Sequence, residues 1–201
     1  SCITGKTESP DGVWDSNFKG VWHLNESSGD AQDSTSYGTS GSLSGTITQG
    51  SSGQINGAYD FYTSGQVNCG DPADGHLDGG TGSWTVSMWM NIDDNRDQWE
   101  QALYKGGTSE WNYGYAFEVY SGSNLLSFCI NDGNAQWGYS KQTSFPEDTW
   151  HHIVGVVDRA NDELRIYKDG AEQGTGNDIS SVGNINSSNG LTFSKDWGWI
   201  N

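Results

Sequence analysis

The sequence predicts an all-β chain folded as a two-sheet antiparallel jelly-roll sandwich, and three observations carry that expectation. Turn-forming residues recur at short intervals, with 29 Gly among 201 residues and abundant Ser, Thr, Asn and Asp. The clearest apolar pattern has the period of a strand, two, and not the 3.6 of a helix. Aromatic residues make up 12 % of the chain, ten of them Trp, although hydrophobic residues are only 32 %. Large rings bury much area each, so a Gly- and Ser-rich chain can still build a core. A disordered chain is poor in such residues. The length suits one large domain and is short for two.

Taken in order, residues 1–17 are polar, turn-rich and aperiodic. FKGVWHL from Phe18 reads as a strand with Phe18, Gly20, Trp22 and Leu24 on one side. A loop rich in Ser, Gly and Asp follows, from Asn25 to about Gly41. Short strands are expected over 43–47, 57–62 and 66–69. The strongest is 83–92, where Trp84, Val86, Met88, Met90 and Ile92 alternate with Thr85, Ser87, Trp89 and Asn91. Further strands fall at 101–105, 115–120 and 124–130, the last two joined by a Ser-Gly-Ser hairpin loop. The segments 150–158 and 163–170 form another pair; Asp169-Gly170 is a hairpin signal because Gly tolerates positive φ. A final strand covers 190–194. The expected core includes Trp22, Phe61, Val86, Met88, Met90, Phe117, Ile153, Leu164 and Ile166.

The charge balance narrows the partners. With 26 acidic against 9 basic residues the formal net charge is −17. That field repels nucleic acid and anionic membranes, and it suits neutral glycans and calcium. No run of apolar residues is long enough to predict a membrane-inserted helix. The three cysteines, Cys2, Cys69 and Cys129, show no zinc or thioredoxin spacing. Cys69 and Cys129 lie in strand-like runs, and the sequence leaves open whether they pair across the sandwich.

Four segments, GVWHLNESSGDAQDSTSYGTSGSLSG at 20–45, INGAYDF at 55–61, SWTVSMWMNID at 83–93 and DTWHHIVGVVDRANDELRIYKDGAEQG at 148–174, resemble laminin-G-like, concanavalin A-like jelly-roll modules of bacterial and archaeal surface proteins. The resemblance covers 18–201 and implies a jelly-roll domain there, with 1–17 as the tail or linker of a preceding domain. It also implies an extracellular or cell-surface setting and a further terminal strand after the present C-terminus, which leaves the last sheet edge open or covered by another segment.

The fold hosts lectins, adhesion domains and glucanases, so function rests on sites. A glucanase on this scaffold needs two carboxylates along one strand, commonly Glu-x-Asp-x-Glu. No such run occurs, and Glu118 stands alone in YAFEVY. His151 and His152 point to opposite faces of a regular strand and do not chelate one metal together. The expected activity is therefore binding and not catalysis. The expected partner is a polysaccharide or cell-surface glycan, with other domains or neighbouring subunits as further partners. A self-associating piece of a surface layer or filament is the first alternative, and an atypical polysaccharide-degrading domain is the second. Sugar contact calls for exposed rings flanked by Asp, Asn or Gln. That mixture occurs at Trp111 and Tyr113, and again at Asp132, Asn134 and Trp137. In the resembling family the loop after the first strand holds a structural calcium, which places Asp33 as the expected metal ligand, although Tyr37, Thr39 and Ser40 depart from the family pattern.

Overall fold

A computed structural model describes residues 13–62, 64–92, 99–106, 113–120, 125–134, 137–139, 143–195 and 198–200. Among these residues sixteen strands, numbered along the chain, form two sheets in which every pairing is antiparallel. The first sheet runs β1 (Ser42–Ser44), β4 (Gln66–Gly70), β15 (Leu191–Lys195), β6 (Trp99–Lys105), β7 (Gly114–Tyr120), β8 (Leu125–Asn131) and β10 (Thr143–Ser144), with β9 (Trp137–Tyr139) also paired to β8. The second runs β13 (Ala171–Glu172), β12 (Glu163–Lys168), β11 (His151–Asp158), β5 (Trp84–Asn91), β16 (Gly198–Ile200), β3 (Ala58–Phe61) and β2 (Ile47–Ser51), with β14 (Asn177–Asp178) beside β12. The two-sheet antiparallel architecture is the one the sequence predicts.

The alternation along β5 turns Met88 and Met90 into the core and leaves Thr85 and Ser87 exposed. Ile153 and Val157 of β11, with Leu164 and Ile166 of β12, extend the same buried face. From the opposite sheet, Phe117 and Phe128 are fully buried, with ring centroids 5.1 Å apart. Close approach of the sheets needs Gly155: a Cβ there would stand 2.6 Å from the Phe128 ring. Tyr59 and Phe61 belong to the same core. Trp22, Trp84 and Val86 are only partly buried, packed against it.

Two expected strands differ. FKGVWHL makes no strand; it contributes a single bridge between Trp22 and Asp33. Its backbone is drawn to the following loop instead, Val21 N–H donating to Asp33 Oδ1 and Val21 C=O accepting from Ser34 N–H. The segment 43–47 is split into β1 and β2 at Gly45, whose φ of 71° suits glycine and whose Cα lies against the Ser64 carbonyl. The short β9, β13, β14 and β16 were not expected from the sequence.

Cys69 and Cys129 are both free and buried. They sit in one sheet with β15, β6 and β7 between their strands, so a bond across the sandwich does not form. Cys69 belongs to the core, where burial pushes its thiol up to about 12. Cys129 lies on the outer face beside Glu118, its thiol 3.7 Å from Oε2.

Candidate functional site

The hairpin from β8 to β9 and the start of β7 bring three of the expected sugar-contact residues together. Gly114 pairs with Asn131, and Asn131 pairs with Trp137. Tyr113, just before β7, is 50 % exposed, and its ring lies against Gly133, where an added Cβ would come within 2.0 Å of it. Gly133 holds a φ of 80°, so side chain and backbone both exclude other residues there. Asn134, the next residue in the chain, is exposed.

Asp132 is buried, and its task is to shape the hairpin. Oδ1 accepts from Asn134 N–H at 3.0 Å, and Oδ2 accepts from Gly183 N–H at 2.8 Å, tying the hairpin to the 179–185 loop. Burial opposes its charge, but the donors of Asn134 and Gly183 outweigh that and hold the carboxyl below the usual range. Trp111 lies outside the described residues. Trp137 is described in its backbone, as part of β9.

The outer face of the first sheet carries a second polar group that the sequence did not single out. Thr192, Tyr104, Ala116 and Cys129 form one cross-strand row, and Gln101, Glu118 and Ser127 the next. Thr192, Tyr104, Glu118 and Ser127 are all buried, although they point away from the core. Gln101 donates from Nε2 to Glu118 Oε1 at 2.9 Å. Among the described residues, the side chains bonded to Glu118 are thus an amide and a thiol.

Burial raises the Glu118 carboxyl above the ordinary value of 4.5, and the bonds from Gln101 and Cys129 offset this only in part. The folded chain therefore holds that proton more tightly than the unfolded chain. The associated stability is present at low pH and is lost as pH rises through the folded value. Glu118→Gln is expected to match the parent in urea unfolding below about pH 4 and to exceed it above about pH 6. An equal difference at both pH values would show that the charge carries no such penalty.

Asp33 anchors the loop after Trp22. Its Oδ1 accepts from Val21 N–H at 3.0 Å and Thr35 N–H at 2.9 Å; Oδ2 accepts from the Thr35 hydroxyl at 2.8 Å and Thr39 N–H at 3.0 Å. Each oxygen thus takes two hydrogen bonds. Among the described residues no group of three or more His, Cys, Asp or Glu side chains converges on a possible ion. The donor set fits a loop anchor and does not fit the calcium seat implied by the family resemblance. Next to it Tyr37 stacks on His76 at 4.1 Å, and the Lys19 ammonium stands 5.1 Å from the Tyr37 ring centre.

Of the adjacent histidines, His151 packs edge-on against Phe145 and bonds Asp169 at 2.6 Å, while His152 lies 5.3 Å from Trp89 on the other face. They do not share a ligand. A buried cation was also missed: Lys105 is 1 % exposed and donates to Asp71 Oδ1 at 2.6 Å and to the carbonyls of Ser187 and Asn189 at 2.8 Å each. Asp78 Oδ1 stands 3.1 Å from the same ammonium.

Fold and site together define a concanavalin A-like sandwich with a polar rim at one end of its first sheet. A laminin G family model described as the concanavalin A-like lectin/glucanases superfamily matches residues 62–199, and the chain belongs to this family. Comparison with curated protein sequences gives no match. Among solved structures, the chain is similar to Trypanosoma rangeli sialidase in complex with the inhibitor DANA, at 10 % identity and a TM-score of 0.62, over 90 % of this chain and 29 % of that one. It is similar to mouse laminin α1 domains LG4-5 at 11 % identity and a TM-score of 0.44, over 60 % of this chain and 34 % of that one. The carbohydrate-binding module CBM66 from Bacillus subtilis aligns at 15 % identity and a TM-score of 0.41, over 80 % of this chain and 95 % of that module. The chain spans about a third of the sialidase and laminin chains. At these identities the likeness is one of fold.

Proposed function

We propose that the chain is a non-catalytic glycan-binding or adhesion module acting outside the cell, and that Tyr113 and Asn134 contact the sugar. The observation that carries this reading is the half-exposed Tyr113 ring laid on Gly133, with Asn134 following in the chain and exposed. A ring of this kind stacks on the apolar face of a pyranose, and an adjacent amide orients hydroxyls. Asp132 serves as a positioning residue through its bonds to Asn134 and Gly183. Trp111 and Trp137 stay proposed sugar contacts on their sequence setting alone. The −17 net charge favours neutral glycans over sulfated or uronic-acid ones.

A glycan array followed by isothermal titration tests this. Tyr113→Ala is expected to weaken binding to the best neutral oligosaccharide by tenfold or more, with the melting temperature changed little because the ring is half exposed. Asn134→Ala is expected to weaken it less. Binding that survives both substitutions would place the sugar elsewhere. Release of reducing ends from a polysaccharide by the parent chain would overturn the non-catalytic assignment.

A further inference from the structure

We propose that the Lys105 ammonium is a tethered cation in a seat fit for a divalent one, and that it fixes the loops behind the candidate sugar site without calcium. Sheet pairing builds the seat. Leu191 pairs with Gly70 on one side and with Lys105 on the other, which brings the end of β4, the start of β15 and the end of β6 to one place. The chain leaves β4 through Asp71 and Asp78, and it enters β15 from Ser187 and Asn189. Lys105, 1 % exposed, reaches between these segments.

The oxygen set exceeds what an ordinary ion pair uses. Asp71 Oδ1 at 2.6 Å and the Ser187 and Asn189 carbonyls at 2.8 Å accept the three hydrogen bonds an ammonium can donate. Asp78 Oδ1 stands at 3.1 Å as a fourth oxygen, held by charge. Two carboxyl groups thus face one positive charge, a count that a divalent ion balances. Carboxylates and backbone carbonyls are also what calcium takes, at about 2.3–2.6 Å, with water completing its shell. The seat is wider than that by a few tenths of an ångström per oxygen, and the ammonium on its flexible stem fills it.

The segments held here lead to the candidate sugar site. Ser187 and Asn189 follow closely on Gly183, whose N–H donates to Asp132. Gly80 adds a second tie between the same loops, accepting from Ile185 N–H and donating to Asn186 Oδ1. Gly114, next to Tyr113, lies so near the Lys105 carbonyl that an added Cβ would stand 1.7 Å from it. A loosened seat is therefore felt at both Asp132 and Tyr113. That consequence rests on the glycan reading; the seat itself does not. Shortening Lys105 leaves two carboxyl groups and two carbonyls around open space, and the −17 net charge draws a cation to it. A buried ion pair without this character would lose stability in the same variant and gain nothing specific from calcium.

The test measures melting temperature and calorimetric calcium titration on the 201-residue chain. The parent is expected to melt alike in EDTA and in calcium. Lys105→Ala is expected to melt several degrees or more below the parent in EDTA and to bind one calcium per chain. It is expected to recover half or more of that loss at about 10 mM calcium, above the roughly 0.1–1 mM dissociation constants of extracellular calcium modules. Magnesium is expected to restore less, because it demands a tighter octahedral shell. Lys105→Met, whose thioether stays in the seat, and Lys105→Ala combined with Asp71→Asn are expected to recover nothing. Equal recovery in those two would overturn the proposal, since it would be a general effect of cations on an acidic chain. Should Lys105→Ala fail to fold, Lys105→Asn, whose amide oxygen adds a ligand, takes its place; no calcium response in either variant also overturns it. With the neutral oligosaccharide selected on the array, the parent is expected to bind equally in EDTA and in calcium, and Lys105→Ala tenfold or more weakly in EDTA than in calcium. Parent binding that falls in EDTA would overturn the proposal, and equal binding by Lys105→Ala in both would overturn its link to the sugar site. A parent that binds no glycan would remove the glycan reading alone, and the melting response would still decide the seat.

Discussion

Lys105→Met is expected to lower the unfolding free energy by about 3–5 kcal/mol, the range for removing one partner of a buried ion pair. For a domain of this size that is a fall in melting temperature of about 6–20 °C. The ammonium has no solvent to fall back on, and it joins four oxygens: carboxylates of Asp71 and Asp78 and carbonyls of Ser187 and Asn189. Methionine fills similar volume but withdraws the positive charge from those oxygens, leaving Asp78 Oδ1, among the described residues, only the Ser187 N–H at 3.3 Å. Asp78 is the more enclosed carboxylate, at 16 % side-chain exposure against 36 % for Asp71. Adding Asp78→Asn to Lys105→Met is therefore expected to recover part of the loss, a coupling that a double-mutant cycle reads directly. Additive losses would show that the ammonium and Asp78 do not act as a pair.

Asp33→Ala is expected to cost about 2–4 kcal/mol, because it strips partners from three backbone amides and one hydroxyl in a part-buried loop. Asp33→Asn retains one acceptor oxygen and is expected to lose about half as much. Chelation with EDTA is expected to leave the melting temperature of the parent unchanged, since the carboxylate is already saturated by N–H and O–H donors. A chelator-sensitive melting temperature that Asp33→Ala removes would return calcium to this loop.

What the sequence made legible was set by how local each signal is. The run from Trp84 to Asn91 has eight residues of strict alternation, and Asp169-Gly170 lies at the end of its hairpin with Asp169 at φ 51° and Gly170 at φ 80°. Both signals lie within a few residues of what they specify. Strands of two or three residues, such as β13 and β16, are too short for a period of two to be read. FKGVWHL has the strand pattern, yet the Asp33 carboxylate, twelve residues on from Val21, takes the N–H a neighbouring strand would need. At the candidate site, Tyr113 and Asn134 were readable as an exposed ring and amide in turn-rich segments. Asp132 has the same composition signal, but its burial depends on Gly183, fifty-one residues away. Lys105 ends the run QALYK and reads as a solvated strand end; its oxygens come from loops 27 to 84 residues distant. Glu118 looked solitary along β7 because its partners lie across the sheet on β6 and β8.

The last two described strands are not at the margins of the sheets. β15 lies between β4 and β6, and β16 lies between β5 and β3. Each sheet is thus stitched together by a strand that follows its other described strands in the sequence. While the chain emerges from the ribosome, β1 with β4 and β6 with β7 and β8 can pair locally, but the two groups have no strand to join them until Leu191–Lys195 is available. The same holds for β2 with β3 on one side and β5 with β11 and β12 on the other. Assembly is therefore late and dominated by contacts distant in sequence, which makes slow folding and exposure of unpaired strand edges during synthesis the kinetic signature of this topology.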